Sequence, residues 1–288
     1  MNTLSLNMNE TQGMNEEQRY LFDTFGYIVI PDVLSNETIK SLKLTLNGST
    51  EQFPPVPQDQ GPLHWDRVWR DLLDVPRITA ILEEMIGNPR ILERRQHQHP
   101  DGPVRPTYRL DHINVHTHVQ EGFKGGMLHG GWNSVAGLFR YDSGHFYNGL
   151  TTVTFELYET FCNDGGFACI PGSHKGNIET PFNMIDLSKS IHPSITRVAA
   201  KPGDAIIFTE ALTHGTLPWT AKTPRTTIFY KYSPHAITWS ADFYDADDFR
   251  RYDDMDERKL ALLEPPNARY ARRPKLKIEA ETPQSSES

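Results

Sequence analysis

The sequence predicts a mainly β protein with a cover of helices at its N-terminal side, and three observations support this. From Tyr108 onward, short runs rich in β-branched and aromatic residues follow one another, separated by Gly, Asn, Asp and Pro. Before that point, apolar residues recur at helical spacing. The chain of 288 residues is 37% hydrophobic and 23% charged, which is typical of a globular protein with a substantial core. We therefore expect an antiparallel sandwich or barrel with N-terminal helices.

The N-terminal elements have recognisable ends. Asn15 is suited to cap a helix that runs to Phe25, and Gly26 stands where a helix usually stops. An apolar strand should follow and end before Pro31. The predicted elements of this part are the helix from 15 to 25, the strand 27–30, a helix over 36–46 and a helical stretch over 66–86 that Pro76 interrupts.

The β half begins at about residue 105 and extends to about 235. Its expected strands cover 108–117, 149–158, 167–170, 195–198, 205–209 and 225–232, and the segment 241–264 should be partly helical. We expect one domain over 15–270, between a disordered leader (1–14) and a disordered tail (271–288), because both ends lack periodic apolar residues.

Charge and cysteine content exclude several classes of protein. The chain has 29 Lys and Arg against 37 Asp and Glu, a net charge of −8, which disfavours nucleic-acid binding. Two cysteines cannot build a disulfide framework or a four-thiolate zinc site. Neither a signal peptide nor an apolar run of about 20 residues is visible, so we expect a cytoplasmic protein without a membrane partner. Its oligomeric state cannot be read from the sequence.

The strongest chemical pattern follows the turn Gly203-Asp204. An apolar strand comes next, then His214, and eleven residues later Arg225 opens another strand. Antiparallel pairing can bring both side chains into one cavity, where the imidazole would bind a metal and the guanidinium a carboxylate. The alternative is a turn histidine and a strand-edge arginine that form only an ion pair.

Two further segments are less specific when taken alone. In Leu128-His129-Gly130-Gly131, the glycines would allow a ligand to approach the histidine closely. The stretch 163–175, NDGGFACIPGSHK, has the pattern of a turn, a strand and a Pro-Gly turn, and its residues alone favour a structural role.

Together these segments resemble the phytanoyl-CoA dioxygenase family of Fe(II)/2-oxoglutarate oxygenases. The resemblance depends on the order LHGG, DGGFACIPGSHKGN, PGDAIIF, HGT and RTTIFYKYSP, and on the N-terminal segment EEQRYLFDTFGYIVIPDVLS. PGSHKG is its most diagnostic part, and the resemblance extends from about Asn15 to about Pro274.

The resemblance implies a double-stranded β-helix, a jelly-roll or cupin-like barrel that holds iron and uses 2-oxoglutarate and O₂. By that resemblance His129 and His214 are the metal-binding histidines and act in catalysis. Arg225 is the catalytic-site residue that binds the distal carboxylate of 2-oxoglutarate, and Thr216 is the hydroxyl residue beside it. The expected partner is a small-molecule or acyl substrate.

The sequence departs from the family at one position. The family's first ligand motif is His-x-Asp, but here Gly131 stands at the carboxylate position. Iron could still bind, with the third position supplied from elsewhere or by water, and Asp111 and Glu156 are the preferred candidates, ahead of Glu121 and Asp142. Chloride could instead fill the gap, as in related halogenases with His-x-Gly or His-x-Ala. The site could also have lost its redox chemistry and kept only the binding of a small ligand.

Outside the family, a metal-dependent isomerase or hydrolase of the cupin type and a small-ligand binding protein remain open. His64-Trp65-Asp66 is a literal His-x-Asp, but it precedes the whole β half, so we interpret it as unrelated to a metal site. On the strand near 108–117, His112, His116 and His118 should share one face, with Asp111 on the other.

Overall fold

The computed structural model describes residues 13–46, 61–87, 106–118, 124–131, 137–188 and 190–266. The predicted disordered tail and residues 1–12 of the predicted leader lie outside these ranges. Met14 is buried, and its backbone N–H donates to Glu84 Oε2 at 3.0 Å. Among the described residues, none of the helices combines the length and apolar character that a membrane crossing needs.

The helices lie mostly at the N-terminal side, as predicted. Asn15 and Gln18 form a reciprocal capping box at the start of the first helix, and Gly26 ends it with a φ of 82°. The predicted stretch 66–86 divides at a 3₁₀ turn (Leu72–Asp74), and Pro76 begins a new helix there. The helices are α1 (Glu16–Phe25), α2 (Asn36–Leu46), α3 (Arg67–Asp71), α4 (Pro76–Met85), α5 (Phe182–Ile185), α6 (Ala246–Phe249) and α7 (Glu257–Leu262).

The strands form two facing sheets and a separate hairpin. They are β1 (Tyr27–Ile30), β2 (Tyr108–His118), β3 (Phe139–Asp142), β4 (His145–Asn148), β5 (Thr151–Glu156), β6 (Gly166–Cys169), β7 (Thr196–Arg197), β8 (Ala205–Thr209), β9 (His214–Leu217) and β10 (Arg225–Pro234). The major sheet has the antiparallel order β1-β8-β5-β10-β2, and the minor sheet has the order β7-β6-β9. This is the double-stranded β-helix that the family resemblance implies.

The two faces of the major sheet differ in character. The outer face packs on the N-terminal helices and contributes apolar residues such as Ile228 and Tyr230 to the main core. The inner face carries Arg225, Thr227, Phe229 and Lys231 from β10, because side chains alternate along a strand. The interior between the sheets is therefore partly charged, and this is where a site can form.

A second, smaller core lies between the two sheets. Phe167 of β6 packs against Phe208 of β8, with ring centroids 4.8 Å apart. Cys169, Ile206 and Leu212 belong to the same buried cluster. This contact fixes the separation of the sheets next to the histidine of β9.

Most predicted strands are confirmed, but two features were not anticipated. The hairpin of β3 and β4 and the short strand β9 were not predicted as strands. Both are short, and the residues of β9, His-Gly-Thr-Leu, have no alternating apolar pattern. The partly helical segment 241–264 contains α6 and α7, as expected.

The outer face of β10 suggests a test of how the helices are held on the sheet. Tyr230 Oη donates to the backbone oxygen of Trp69 at 2.6 Å, and both residues are buried. We expect Tyr230→Phe to lower the free energy of unfolding by about 1 kcal/mol, because a buried carbonyl loses its donor. Tyr232→Phe is the matched control, since its hydroxyl is 3.4 Å from the oxygen of Leu73. Urea unfolding that shows equal losses for both variants would contradict this assignment.

Candidate active site

His129 and His214 are joined by a pair of reciprocal backbone hydrogen bonds. The N–H of His129 donates to the oxygen of His214 at 2.8 Å, and the reverse bond is 2.7 Å long. The two imidazole centroids are consequently 4.4 Å apart. Gly130 has a φ of 127°, and a Cβ there would lie 2.1 Å from the oxygen of Leu212. The glycine after His129 is therefore required for this close approach.

The orientation of His214 suits a metal ligand. Its Nδ1 donates to the oxygen of Leu212 at 2.7 Å, which leaves Nε2 as the free nitrogen. The ring is buried and lies against Phe208. Burial lowers the pKa of His214 to about 4, so the imidazole is neutral at pH 7, as metal binding requires.

Glu210 is the third member of this cluster, and the sequence analysis missed it. Ligand atoms of His129, Glu210 and His214 all lie within 4.8 Å of one another. Glu210 Oε2 is 3.6 Å from Nε2 of His214. The turn after β8, in which the N–H of Leu212 donates to the oxygen of Thr209, directs the chain back toward the two histidines.

Two inner-face residues hold the Glu210 carboxylate. Lys231 Nζ is 2.8 Å from Oε1, and the Thr152 hydroxyl donates to the same oxygen. Thr152 and Lys231 are directly paired residues on β5 and β10. Burial opposes the charge of Glu210, but His214, Lys231 and the hydrogen bonds lower the pKa of the carboxyl to about 2. The carboxylate is thus ionised at neutral pH.

The backbone also places Glu210 beside the position where the family has its aspartate. The N–H of Gly131 donates to the oxygen of Glu210 at 3.2 Å. Two imidazoles and one carboxylate are the donor set of the non-haem Fe(II) oxygenases, so the residues present fit that metal.

Arg225 lies at the start of β10 with 1% of its surface exposed. Its Nη2 is 3.7 Å from Glu156 Oε1. Within the described chain, Nε and Nη1 have no hydrogen-bond partner. Each of these orphaned donors needs an acceptor, and the edge formed by Nη1 and Nη2 matches a planar carboxylate, so Arg225 fits the distal carboxylate of 2-oxoglutarate.

Thr216 lies near the same end of the sandwich as Arg225. It follows His214 by two residues, so both face the same side of β9, and it pairs with Phe167 of β6. The neighbouring Gly166 has a φ of 81°, and a Cβ there would be 3.2 Å from Nε of Arg225. The double glycine of the DGGF segment thus leaves room for the guanidinium.

Asp111, the first of the acidic residues predicted as a third ligand, has a structural role instead. It is the extra residue at a bulge of β2, and its carboxylate accepts from Arg109 Nη1 at 3.2 Å and from His112 Nδ1 at 2.7 Å. It also accepts from the N–H groups of Trp239 and Ser240 at 2.9 and 3.0 Å. These contacts occupy both oxygens of the carboxylate.

The other two acidic candidates that the structure describes, Glu156 and Asp142, do not belong to the cluster with the two histidines. Glu156 accepts from Thr227 Oγ1 at 2.7 Å and lies beside Arg225. Asp142 is exposed at the β3–β4 turn. Glu121 lies outside the described residues.

The predicted row of histidines on β2 faces the interior, because it pairs with the inner-face residues of β10. His118 is opposite Arg225, His116 opposite Thr227 and His112 opposite Lys231. Asp111 is the unpaired residue at the bulge, and its carboxylate contacts His112 of this row, so strand alternation does not determine which face it lies on.

His64 is remote from this row, which agrees with our interpretation of the His-Trp-Asp segment. It stacks on Phe249 with centroids 4.4 Å apart, and Asp66 caps α3.

The PGSHK segment supports the site without entering it. Ser173 Oγ accepts from the N–H of Thr213 at 2.8 Å, next to His214. His174 donates from Nε2 to the oxygen of Asp23 at 3.0 Å and ties this turn to α1. The structural role that its residues suggested is consistent with these contacts.

A pocket opens beside the exposed His129. It lies between the Leu128–Gly131 turn and the segment Ile178–Thr180, and Ala211 and Thr213 complete the wall. The cluster of His129, Glu210 and His214 can therefore be reached from solvent on the side of His129.

Comparison with known proteins gives one family and a set of solved structures. The phytanoyl-CoA dioxygenase family (PhyH) matches residues 22–227. No curated protein sequence matches the chain.

HygX from Streptomyces hygroscopicus with nickel and 2-oxoglutarate bound is 21% identical, with a TM-score of 0.64 over 83% of this chain and 95% of HygX. Its iron-bound form is 22% identical, with a TM-score of 0.62 over the same shares. The form that also holds hygromycin B is 21% identical, with a TM-score of 0.61 over 79% of this chain and 90% of HygX. These likenesses establish a shared fold.

The contacts of Asp111 predict a loss of stability without a loss of metal. Burial opposes its charge, but His112 and two backbone donors hold the pKa of Asp111 below its usual value. Its stabilisation is therefore present at neutral pH and is lost as the pH falls below about 4. We expect Asp111→Asn to cost about 3 kcal/mol in urea unfolding at pH 7 and to leave Fe(II) binding unchanged. Loss of Fe(II) from a folded variant would contradict this prediction and indicate that Asp111 is a ligand.

Proposed function

This chain belongs to the phytanoyl-CoA dioxygenase family, and we propose that it is an Fe(II)- and 2-oxoglutarate-dependent dioxygenase that hydroxylates a small-molecule or acyl substrate. One observation carries the proposal. Two adjacent imidazoles, of which His214 is neutral and oriented through its Nδ1, lie beside a carboxylate and share the sandwich with a buried guanidinium that has two unused donors. The first group suits iron, and the second suits a dicarboxylate co-substrate.

Separate residues would bind the metal and the co-substrate. His129 and His214 would hold the iron, with ligation altered by the glycine at 131. Arg225 would bind the distal carboxylate of 2-oxoglutarate, with the hydroxyl of Thr216 beside it. When bound, iron and 2-oxoglutarate supply the oxidation of a C–H bond by O₂, with succinate and CO₂ formed from the co-substrate.

The substrate would enter by the pocket beside His129. That pocket is bounded by apolar Ile178 and Ile185 and by polar Glu179 and Thr180, a mixture that suits a small molecule with both kinds of surface. The solved HygX structure with hygromycin B bound is consistent with a small-molecule substrate in this fold.

Gly131 favours a second candidate, an Fe(II)/2-oxoglutarate halogenase in which chloride takes the vacant position. An anaerobic optical titration with Fe(II) and 2-oxoglutarate separates the two functions, since a halide ligand shifts the charge-transfer band when chloride is added.

A barrel that only binds a small ligand is disfavoured by Arg225. Two unpaired, buried guanidinium donors cost stability unless a ligand uses them. A site that binds no carboxylate would gain nothing from a buried arginine that lowers stability in this way.

The imidazole pair gives the first functional test. We expect His129→Ala and His214→Ala each to abolish binding of Fe(II) by the purified protein and the production of succinate from 2-oxoglutarate. Metal analysis after anaerobic loading provides the first measurement, and quantification of succinate provides the second. His64→Ala is the control, because its ring is remote from the cluster. Unchanged iron stoichiometry in both variants would contradict the assignment of His129 and His214 as ligands.

The guanidinium of Arg225 gives the second functional test. We expect Arg225→Leu to weaken 2-oxoglutarate binding at least about 100-fold, since a charged, bidentate pair contributes about 3 kcal/mol, while Fe(II) is retained. Isothermal titration of the iron-loaded protein measures the affinity. A dissociation constant equal to that of the unsubstituted protein would remove Arg225 from the co-substrate site.

A further inference from the structure

We propose that Glu210 is the third protein ligand of the metal and replaces the carboxylate that Gly131 cannot supply. The inference deepens the proposed function and depends on it, because a metal must first bind to His129 and His214. It adds a residue that lies outside both histidine motifs and that the family's ligand pattern does not contain.

The first argument is distance. Oε2 of Glu210 is 3.6 Å from Nε2 of His214, and the ligand atoms of all three residues lie within 4.8 Å. Two atoms that each bind a metal at about 2.1 Å are separated by roughly 3–4 Å. Small side-chain rotations would therefore bring the three atoms onto one ion. The described chain contains no other such group of three His, Cys, Asp or Glu residues.

The second argument is position. His129 and His214 are directly opposite one another, and the chain continues antiparallel beyond them. Gly131 follows His129 by two residues, and its N–H donates to the oxygen of Glu210 at 3.2 Å. A carboxylate from residue 210 thus enters the site next to the position from which an aspartate at 131 would enter it.

The third argument is that the two carboxylate oxygens of Glu210 make different contacts. Oε1 is occupied, because Lys231 contacts it at 2.8 Å and the Thr152 hydroxyl donates to it. Oε2 faces His214 at 3.6 Å, beyond hydrogen-bond distance. Ligating carboxylates are typically fixed in this way, with one oxygen on the metal and the other held by neighbouring donors.

This assignment bears on the reaction. Two histidines and one carboxylate leave the open positions of the metal to the co-substrate and O₂. With Glu210 in place, a halide has no vacant protein position to fill. The inference therefore favours hydroxylation over halogenation.

The test compares Fe(II) affinity among variants of the full chain, titrated anaerobically with Fe(II) alone. We expect Glu210→Gln to weaken binding by at least about 100-fold. Lys231→Met removes the ion pair but keeps the carboxylate, so its loss should be only about tenfold, in the range of residues that support a ligand. Asp142→Asn is the matched control, since Asp142 is an exposed carboxylate at the β3–β4 turn and outside the site, and it should bind as the unsubstituted protein does.

Because Glu210→Gln leaves Lys231 without its counter-ion, Glu210→Gln/Lys231→Met serves as a second variant with neutral residues at both positions. It should fold and still bind Fe(II) as poorly as Glu210→Gln. Equal losses for Glu210→Gln and Lys231→Met would show a purely structural ion pair and overturn the inference. Fe(II) affinity of Glu210→Gln within threefold of the unsubstituted protein would do the same.

The unsubstituted protein separates this inference from the proposed function. If it binds no Fe(II), or binds it equally well after His129→Ala, the proposed function fails. If binding requires His129 and His214 but survives Glu210→Gln, only the role of Glu210 fails. Addition of chloride to the protein loaded with Fe(II) and 2-oxoglutarate should leave its absorption band unshifted, and a chloride-dependent shift would contradict a filled third position.

Discussion

The inner face of the major sheet contains two acids and two bases that must neutralise one another. Glu156, Glu210, Arg225 and Lys231 have between 1 and 15% of their side chains exposed. A charge in such a place is destabilising by several kcal/mol unless an opposite charge lies beside it. The strands β5 and β10 and the turn after β8 are therefore held in one arrangement, since each supplies part of a pair. The cluster of His129, Glu210 and His214 and the proposed co-substrate site at Arg225 both depend on this arrangement.

The two ion pairs, Lys231–Glu210 and Arg225–Glu156, differ in distance, and each leaves a different group available to a ligand. Lys231 contacts Glu210 at 2.8 Å through one carboxylate oxygen, so the other oxygen remains directed at His214. Arg225 approaches Glu156 only at 3.7 Å through one nitrogen, so two donors remain for a ligand. Neither ion pair uses all of its hydrogen-bonding atoms. Each thus presents a preformed, oriented group to the interior, which reduces the reorganisation needed when a ligand binds.

The sequence was informative where one residue type implies one structure. The capped α1, the strand that ends before Pro31 and the apolar β8 each follow from a local pattern and were predicted. The spacing of His214 and Arg225 indicated a shared cavity because both residues flank recognisable strand segments.

Glu210 could not be found in this way. It lies between the apolar strand β8 and His214, in FTEALTH, where a single acid resembles the polar end of a strand. Its entry into the site depends on the turn from Thr209 to Leu212 and on Lys231, which is 21 positions later in the chain. The signal in the sequence is that Glu210 directly follows an apolar strand and lies four residues before a predicted ligand. The sequence instead favoured strand residues such as Asp111, whose carboxylate the structure shows bound to Arg109, His112 and two backbone N–H groups.

The three proposed ligands differ in burial, and the difference indicates from which side a metal would bind. His214 and Glu210 are buried and each is held by further hydrogen bonds, whereas His129 is exposed and adjoins the pocket. The two buried groups are fixed by the sheets before any metal arrives. His129 is fixed chiefly by its two backbone bonds to His214, so its ring keeps more rotational freedom. A metal that enters through the pocket would pass this ring and bind against two preoriented ligands. The entropy lost on binding is then confined to the side chain at the entrance, which is also where a substrate would lie.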